Sequence, residues 1–127
     1  MSSTRLVAIV DDDEMLGEAT KELIEAFGLP AIFFESAQAF LSSDCVPKAS
    51  CLVADVQMPG MGGLELRRTL AKSGHLVPVI FVTAYPSELA RKRALQDGAT
   101  CYLNKPFDPK ELLDCIRLAI GPWNGDP

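Results

Sequence analysis

Cys51-Leu-Val-Ala-Asp-Val-Gln-Met-Pro59 decides how this chain reads. It is a short apolar run that ends in one carboxylate, Asp55, and then breaks at Pro59 and a glycine-rich turn. An apolar run of about four to eight residues between breakers has the pattern of a strand buried on both faces. A carboxylate is costly to bury without a partner, which places Asp55 where the strand leaves the core, at its carboxyl end. In open α/β sheets, ligands and chemistry gather at that edge. An isolated strand-end aspartate is more often a turn or helix-capping residue. The rest of the chain reverses that reading.

On the amino side, Leu6-Val-Ala-Ile-Val10 is a first buried strand that runs straight into Asp11-Asp12-Asp13-Glu14. A charge run is usually a solvated loop. Here it follows an apolar strand and precedes a helix, so the charge falls at a second strand's carboxyl end. Asp13 also suits the cap of that helix, where negative charge complements the dipole. The helix is expected over residues 14–27: Leu16, Ala19, Leu23, Ile24 and Phe27 fall near three- and four-residue spacing, and Gly28 is the stop. Ala31-Ile-Phe-Phe34 is a short second strand, followed by a short helix to about residue 41 and a loop over 42–50 that contains Pro47.

On the carboxyl side, Gly60, Gly62 and Gly63 give a mobile turn into a helix over about 64–72. Val77-Pro-Val-Ile-Phe-Val82 is a fourth strand with Thr83-Ala84 at its carboxyl end. A helix over 87–96 carries Arg91-Lys92-Arg93 and stops at Asp97-Gly98. Thr100-Cys-Tyr-Leu103 is a fifth strand ending in Asn104-Lys105-Pro106-Phe107. The last helix starts near Pro109, a favoured first-turn position for proline, and runs to about residue 120. One folded domain is therefore expected over residues 1–120, and the breaker-rich 121–127 segment is expected to be a tail or the start of a linker to a further domain. Repeated strand–helix alternation with short links specifies an α/β fold: a parallel, doubly wound sheet with right-handed crossovers.

At 127 residues the chain is long enough for one domain with a single good core. Its 48% apolar and 23% charged residues fit a globular protein and argue against disorder. No apolar run approaches the roughly 18 residues of a membrane span, and no signal-peptide pattern opens the sequence, so a cytoplasmic location is expected. A net charge of −5 argues against direct nucleic-acid binding by this domain. Cys45, Cys51, Cys101 and Cys115 match no zinc spacing, and in a reducing compartment they read as reduced thiols, mostly in the core. His75 has no partner histidine and reads as a solvated loop residue.

Four strand ends thus carry chemically capable residues: Asp11-Asp12, Asp55, Thr83 and Lys105. Each has a dull explanation alone, Thr83 as a β-favouring residue and Lys105 as an edge charge, but a parallel sheet brings all of them to one edge. Three clustered carboxylates would repel by roughly 4 kcal/mol per pair at about 4 Å and an effective dielectric of about 20. Hard oxygen ligands suit Mg²⁺, and three carboxylates, Lys105 and one Mg²⁺ balance to about zero charge. Such a pocket suits phosphoryl transfer, which depends on positioning and charge stabilisation, with an aspartate as nucleophile.

These residues resemble the receiver domain of two-component response regulators. The likeness covers about residues 5–120 and rests on Ile9-Val-Asp-Asp12, Asp55-Val-Gln-Met-Pro59 with Gly63 and Glu65-Leu66, Val82-Thr-Ala84, and Lys105-Pro-Phe107. The wording around Met58-Pro59 and Lys105-Pro-Phe-Asp108 is most similar to the transcription-factor branch that includes nitrogen-fixation and nodulation regulators. The resemblance implies a flavodoxin-like (βα)5 sheet in the order 2-1-3-4-5. It implies that Asp55 accepts a phosphoryl group from a sensor histidine kinase, and that the protein acts as a switch, not as an enzyme on other substrates. Asp12 and Asp55 would ligate Mg²⁺ directly, with the Gln57 backbone carbonyl as third ligand and Asp11 acting through water. Asp11 and Asp12 match the family's acidic pair better than Asp12 and Asp13. Lys105 would pair with one phosphoryl oxygen and Thr83 with another, and the Lys105-Pro106 peptide would be cis.

Phosphorylation replaces a charge of −1 with roughly −1.5 to −2 and adds acceptor oxygens. By resemblance, Thr83 then moves inward and Tyr102 on the fifth strand rotates from exposed to buried. The fourth helix, fifth strand and fifth helix would form the responsive face. Arg91, Lys92 and Arg93 there, opposite Asp108, Glu111 and Asp114, are expected to support a phosphorylation-dependent homodimer that controls transcription. Gly62 replaces a common Ser, Asp or Asn and is expected to loosen the helix start, Gln57 to tune phosphoryl lifetime, and Tyr85-Pro86 to stiffen the loop after Thr83. Two rivals remain. An Mg²⁺-dependent aspartyl-phosphate phosphatase needs a second acid at the Gln57 position and a cap insertion; an inert interaction module would not need the full set of site residues.

Overall fold

The computed structural model of the chain describes residues 5–127; residues 1–4, where part of the expectation about a leader falls, lie outside the described residues. The elements alternate as β1 (Val7–Val10), α1 (Glu14–Ala26), β2 (Ala31–Phe34), α2 (Ala37–Leu41), β3 (Cys51–Asp55), α3 (Gly63–Lys72), β4 (Val79–Thr83), α4 (Glu88–Gln96), β5 (Cys101–Asn104) and α5 (Pro109–Ile120). The strands form one parallel sheet in the order β2-β1-β3-β4-β5. This is the flavodoxin-like order expected, with the chain reversing direction of travel between β1 and β3.

Every residue of β1, β3 and β4 is buried, which is why those strands read as continuous apolar runs instead of alternating ones. Alternate residues still serve opposite faces. Val10, Leu52, Ala54 and Phe81 pack with Phe40 of α2, Leu66 and Leu70 of α3 and Ala94 of α4. Ile9, Val53, Ile80 and Val82 pack with Ile24 of α1 and Leu112 and Ile116 of α5. Each large apolar side chain buried this way stabilises the fold by about 1.5–3 kcal/mol. Four of the five helices start at side-chain caps: Asp13 accepts from Leu16 N–H, Ser36 from Ala39, Ser87 from Ala90, and Asp108 forms a reciprocal capping box with Glu111. Among the described residues, no helix is long and apolar enough to cross a membrane.

Four features differ from the sequence reading or sharpen it. β4 begins at Val79, not Val77, because Pro78 has no N–H to give the ladder although its carbonyl accepts from Leu52 N–H. Cys101 and Cys115, expected as reduced thiols, are joined as a disulfide between β5 and α5 with Cα atoms 6.1 Å apart. The β5 alternation turns Cys101 toward the α5 face, a proximity that spacing in the sequence does not reveal; Cys45 and Cys51 are free, as expected, and both are buried. Gly62 and Gly63 are packed rather than loose: a Cβ on either would lie 2.5 Å from the Val56 or Asp55 carbonyl oxygen. Glycine lets the start of α3 approach the end of β3 that closely. Finally, residues 121–127 fold back on the domain. The Trp123 indole N–H donates to the Phe27 carbonyl at the end of α1 (2.8 Å), and Arg117 of α5 holds Asp126 through Nε and Nη2.

Candidate functional site

Register brings the site together. Val10 lies beside Ala54 across β1 and β3, so Asp11, one residue on, is level with Asp55. Asp55 lies beside Val82, and Thr83 beside Asn104, which puts Thr83 and Lys105 one step further along the same edge. Backbone bonds continue past the strands and hold these ends in line: Asp11 N–H to Phe34 (3.1 Å), Val56 N–H to Val82 (2.9 Å) and Lys105 N–H to Thr83 (2.7 Å). The Lys105-Pro106 peptide is cis, as expected.

At the centre, the Lys105 ammonium donates to Asp11 Oδ2 and to Asp55 Oδ2, each at 2.8 Å. The three side chains are only 11%, 5% and 9% exposed, so this is a buried ion triad rather than a surface pair. The second oxygen of each buried carboxylate is also engaged, Asp11 Oδ1 by Asp13 N–H (2.9 Å) and Asp55 Oδ1 by Gln57 N–H (3.0 Å). Asp12 is exposed beside them, and one carboxylate oxygen from each of Asp11, Asp12 and Asp55 lies within 4.8 Å of the others. Thr83 is fully buried and its Oγ1 accepts from Tyr85 N–H at 3.0 Å, which leaves the hydroxyl hydrogen as its donor group. Among the described residues, no buried side-chain nitrogen or oxygen lacks a hydrogen-bond partner.

Burial raises the Asp11 carboxyl above its ordinary value, against the lowering effect of Lys105 and Asp13 N–H, and the neighbouring Asp55 charge adds to the rise. Burial alone would depress the Lys105 ammonium, but its hydrogen bonds to Asp11 and Asp55 outweigh that and raise it, so it stays charged. Three carboxylates around one lysine leave two negative charges uncompensated. An all-oxygen donor set with that excess charge fits a hard divalent cation such as Mg²⁺.

Of the residues singled out from the sequence, Asp11, Asp12, Asp55, Thr83 and Lys105 share this edge. Gln57 contributes its N–H to Asp55 while its side chain is exposed. Tyr102 is on the α4 side of β5 and only 9% exposed, so it is already buried without a phosphoryl group, where the switch expectation had it exposed. Burial raises its phenol, opposed by a backbone hydrogen bond at Ser87. His75 stands apart from the cluster, half-buried in the loop before β4. Sequence reasoning missed the two backbone N–H groups, of Asp13 and Gln57, that orient the buried carboxylates. Asx-turns two residues long are a recognisable pattern, but Asp13 had been assigned only to its cap.

Residues 7–117 match the response regulator receiver domain family. The response regulator protein TmoT of Ectopseudomonas mendocina is 37% identical over 115 residues, covering 91% of this chain and 52% of that protein. Nodulation protein W of Bradyrhizobium diazoefficiens is 36% identical over 118 residues, covering 93% of this chain and 52% of that protein. The solved structure of the response regulator StyR superposes with a TM-score of 0.84 at 34% identity, covering 92% of this chain and 59% of that one. The chain spans about half the length of the curated relatives it matches. Family match, strand order and relatives agree: this chain belongs to the response regulator receiver domains.

Proposed function

We propose that this domain is a phosphorylation-dependent switch in which Asp55 takes a phosphoryl group from the phosphohistidine of a sensor histidine kinase. The observation that carries the reading is the Asp11–Lys105–Asp55 triad with Asp12 at its rim. An Asp55 carboxylate oxygen attacks phosphorus, the P–N bond to the kinase histidine breaks, and the departing imidazole takes up a proton. Gln57 N–H fixes the Asp55 carboxylate while one oxygen turns outward. Lys105 leaves Asp55 for a phosphoryl oxygen at little electrostatic cost, because Asp11 still holds it. Thr83 gives its hydroxyl hydrogen to another phosphoryl oxygen.

Asp12, Asp55 and the Gln57 carbonyl would hold Mg²⁺ directly, with Asp11 acting through water. When bound, the ion neutralises charge that builds on the transferring oxygens. The protein turns over no other substrate in this reading. Drawing Thr83 and Lys105 toward Asp55 repacks Tyr102 and the α4-β5-α5 face, where Arg91, Lys92 and Arg93 meet Asp108, Glu111 and Asp114 of a second copy. The domain acts in the cytoplasm, without touching membrane or nucleic acid itself, and the dimer controls transcription through an attached output domain. Transfer of labelled phosphate from a phosphorylated histidine kinase tests the reading. Label should reach this chain and not Asp55→Asn; equal labelling of both would overturn it.

A further inference from the structure

The Cys101–Cys115 bridge lies where the proposed signal must pass. Cys101 precedes Tyr102 on β5, and the two side chains take opposite faces of that edge strand, Cys101 toward α5 and Tyr102 toward α4. Cys115 sits in the middle of α5 among Leu112, Ile116 and Val82. The bridge spans 14 residues of sequence, and the loop it closes carries Lys105, the cation of the buried triad. Cys101 is half-buried and lines a surface cavity of about 680 Å³ with Tyr102, Arg91 and Glu111, so a reductant can approach from solvent. The remaining cysteines do not compete for exchange. Cys45 and Cys51 are both buried, and burial pushes the Cys51 thiol up to about 12.

We infer that Cys101 and Cys115 form a reversible dithiol–disulfide site, through which a protein dithiol sets how freely α5 moves against β5 and how readily Asp55 is loaded. The coupling to Asp55 rests on the proposed function; the redox site itself does not. A thiolate of the reductant attacks the sulfur of Cys101, the less buried residue of the two, and the S–S bond breaks as Cys115 leaves. The reductant's second thiolate then displaces Cys101 from the mixed disulfide. Two electrons pass to this chain, two protons from the reductant's thiols end on Cys101 and Cys115, and the reductant becomes a disulfide. In a reducing compartment, disulfides are mostly transient and redox-sensing. With the bridge closed, β5, α5 and the Lys105 loop move as one piece, which opposes the repacking that loading requires.

The test uses the full chain, oxidised or treated with dithiothreitol, then alkylated in denaturant and counted by mass spectrometry. The oxidised protein should take two alkyl groups, on Cys45 and Cys51, and the reduced protein four, one on each cysteine. Reduction should lower Tm by about 10 °C, as expected for opening a loop of this length. Beryllofluoride with Mg²⁺, a phosphoryl mimic, should bind the reduced protein several-fold more tightly than the oxidised one. The Cys101→Ser/Cys115→Ser protein should bind like the reduced form whatever the redox conditions. Four alkyl groups before reduction would overturn the site, and equal affinity of the two wild-type forms would overturn the coupling. No beryllofluoride binding in either form would overturn the phosphoacceptor reading and the coupling with it, while the alkylation count still decides the bridge.

Discussion

The Lys105 triad and the Arg117 clamp each set one cation against two aspartates, in opposite surroundings. Lys105 sits between Asp11 and Asp55 with all three side chains nearly out of solvent. Arg117 holds Asp126 with a forked contact and reaches Asp114 at 3.3 Å, but its side chain is 36% exposed. Ion pairs in water contribute little because solvation and side-chain entropy offset the attraction. A buried pair contributes little as a whole as well, yet removing one member leaves an uncompensated charge that is costly. One cluster ties down the end of the chain. The other keeps excess negative charge at a strand edge, which only a ligand can finish neutralising.

That contrast orders the expected effects of mutation. Lys105→Met leaves two buried carboxylates facing each other and should cost about 3–5 kcal/mol in urea unfolding at neutral pH. Asp55→Asn keeps one of the two accepted hydrogen bonds, at its amide oxygen, and relieves repulsion with Asp11, while Lys105 stays paired with Asp11. Its unfolding free energy should therefore stay within about 1 kcal/mol of wild type. A loss as large as that for Lys105→Met would mean that the triad is there for stability. Mg²⁺ should raise the wild-type Tm in step with the logarithm of its concentration, with the rise weakened in Asp12→Asn and lost in Asp55→Asn. In the tail, Trp123→Phe removes the donor to the Phe27 carbonyl and should cost about 1 kcal/mol. Arg117→Ala should shift Tm less than Lys105→Met by a wide margin.

The smallest effect concerns Tyr102. Burial disfavours its phenolate, so the folded protein holds the phenol proton more tightly than the unfolded chain does. Its contribution to stability is complete below the ordinary value of 10.0 and is lost as pH rises through the higher folded value. Wild type should therefore lose more stability than Tyr102→Phe as pH rises above about 10. Parallel alkaline unfolding curves would remove that distinction.

Much of this was legible in the residues. Cys51–Asp55 and Val7–Val10 are apolar throughout because both of their faces are covered, and their acidic endings mark the edge where β-strands open to solvent. Parallel topology then brought Asp11, Asp55, Thr83 and Lys105 to one place without any contact being known in advance. The disulfide was not legible: its two cysteines belong to elements whose packing distance depends on which face of β5 meets α5. Nor was the docked tail, since Gly, Pro, Asn and Asp in 121–127 mark turns but do not say where a turn ends up. Gly62 was misread as loose because its need for close approach to Val56 appears only in three dimensions.

Phosphoryl loading of Asp55 is the most direct test. The protein would be incubated with acetyl phosphate and Mg²⁺, and the modified residue mapped by peptide mass spectrometry after borohydride trapping. Incorporation should fall on Asp55, require Mg²⁺ and disappear in Asp55→Asn. Phosphate found on another residue, or undiminished in that variant, would contradict the account.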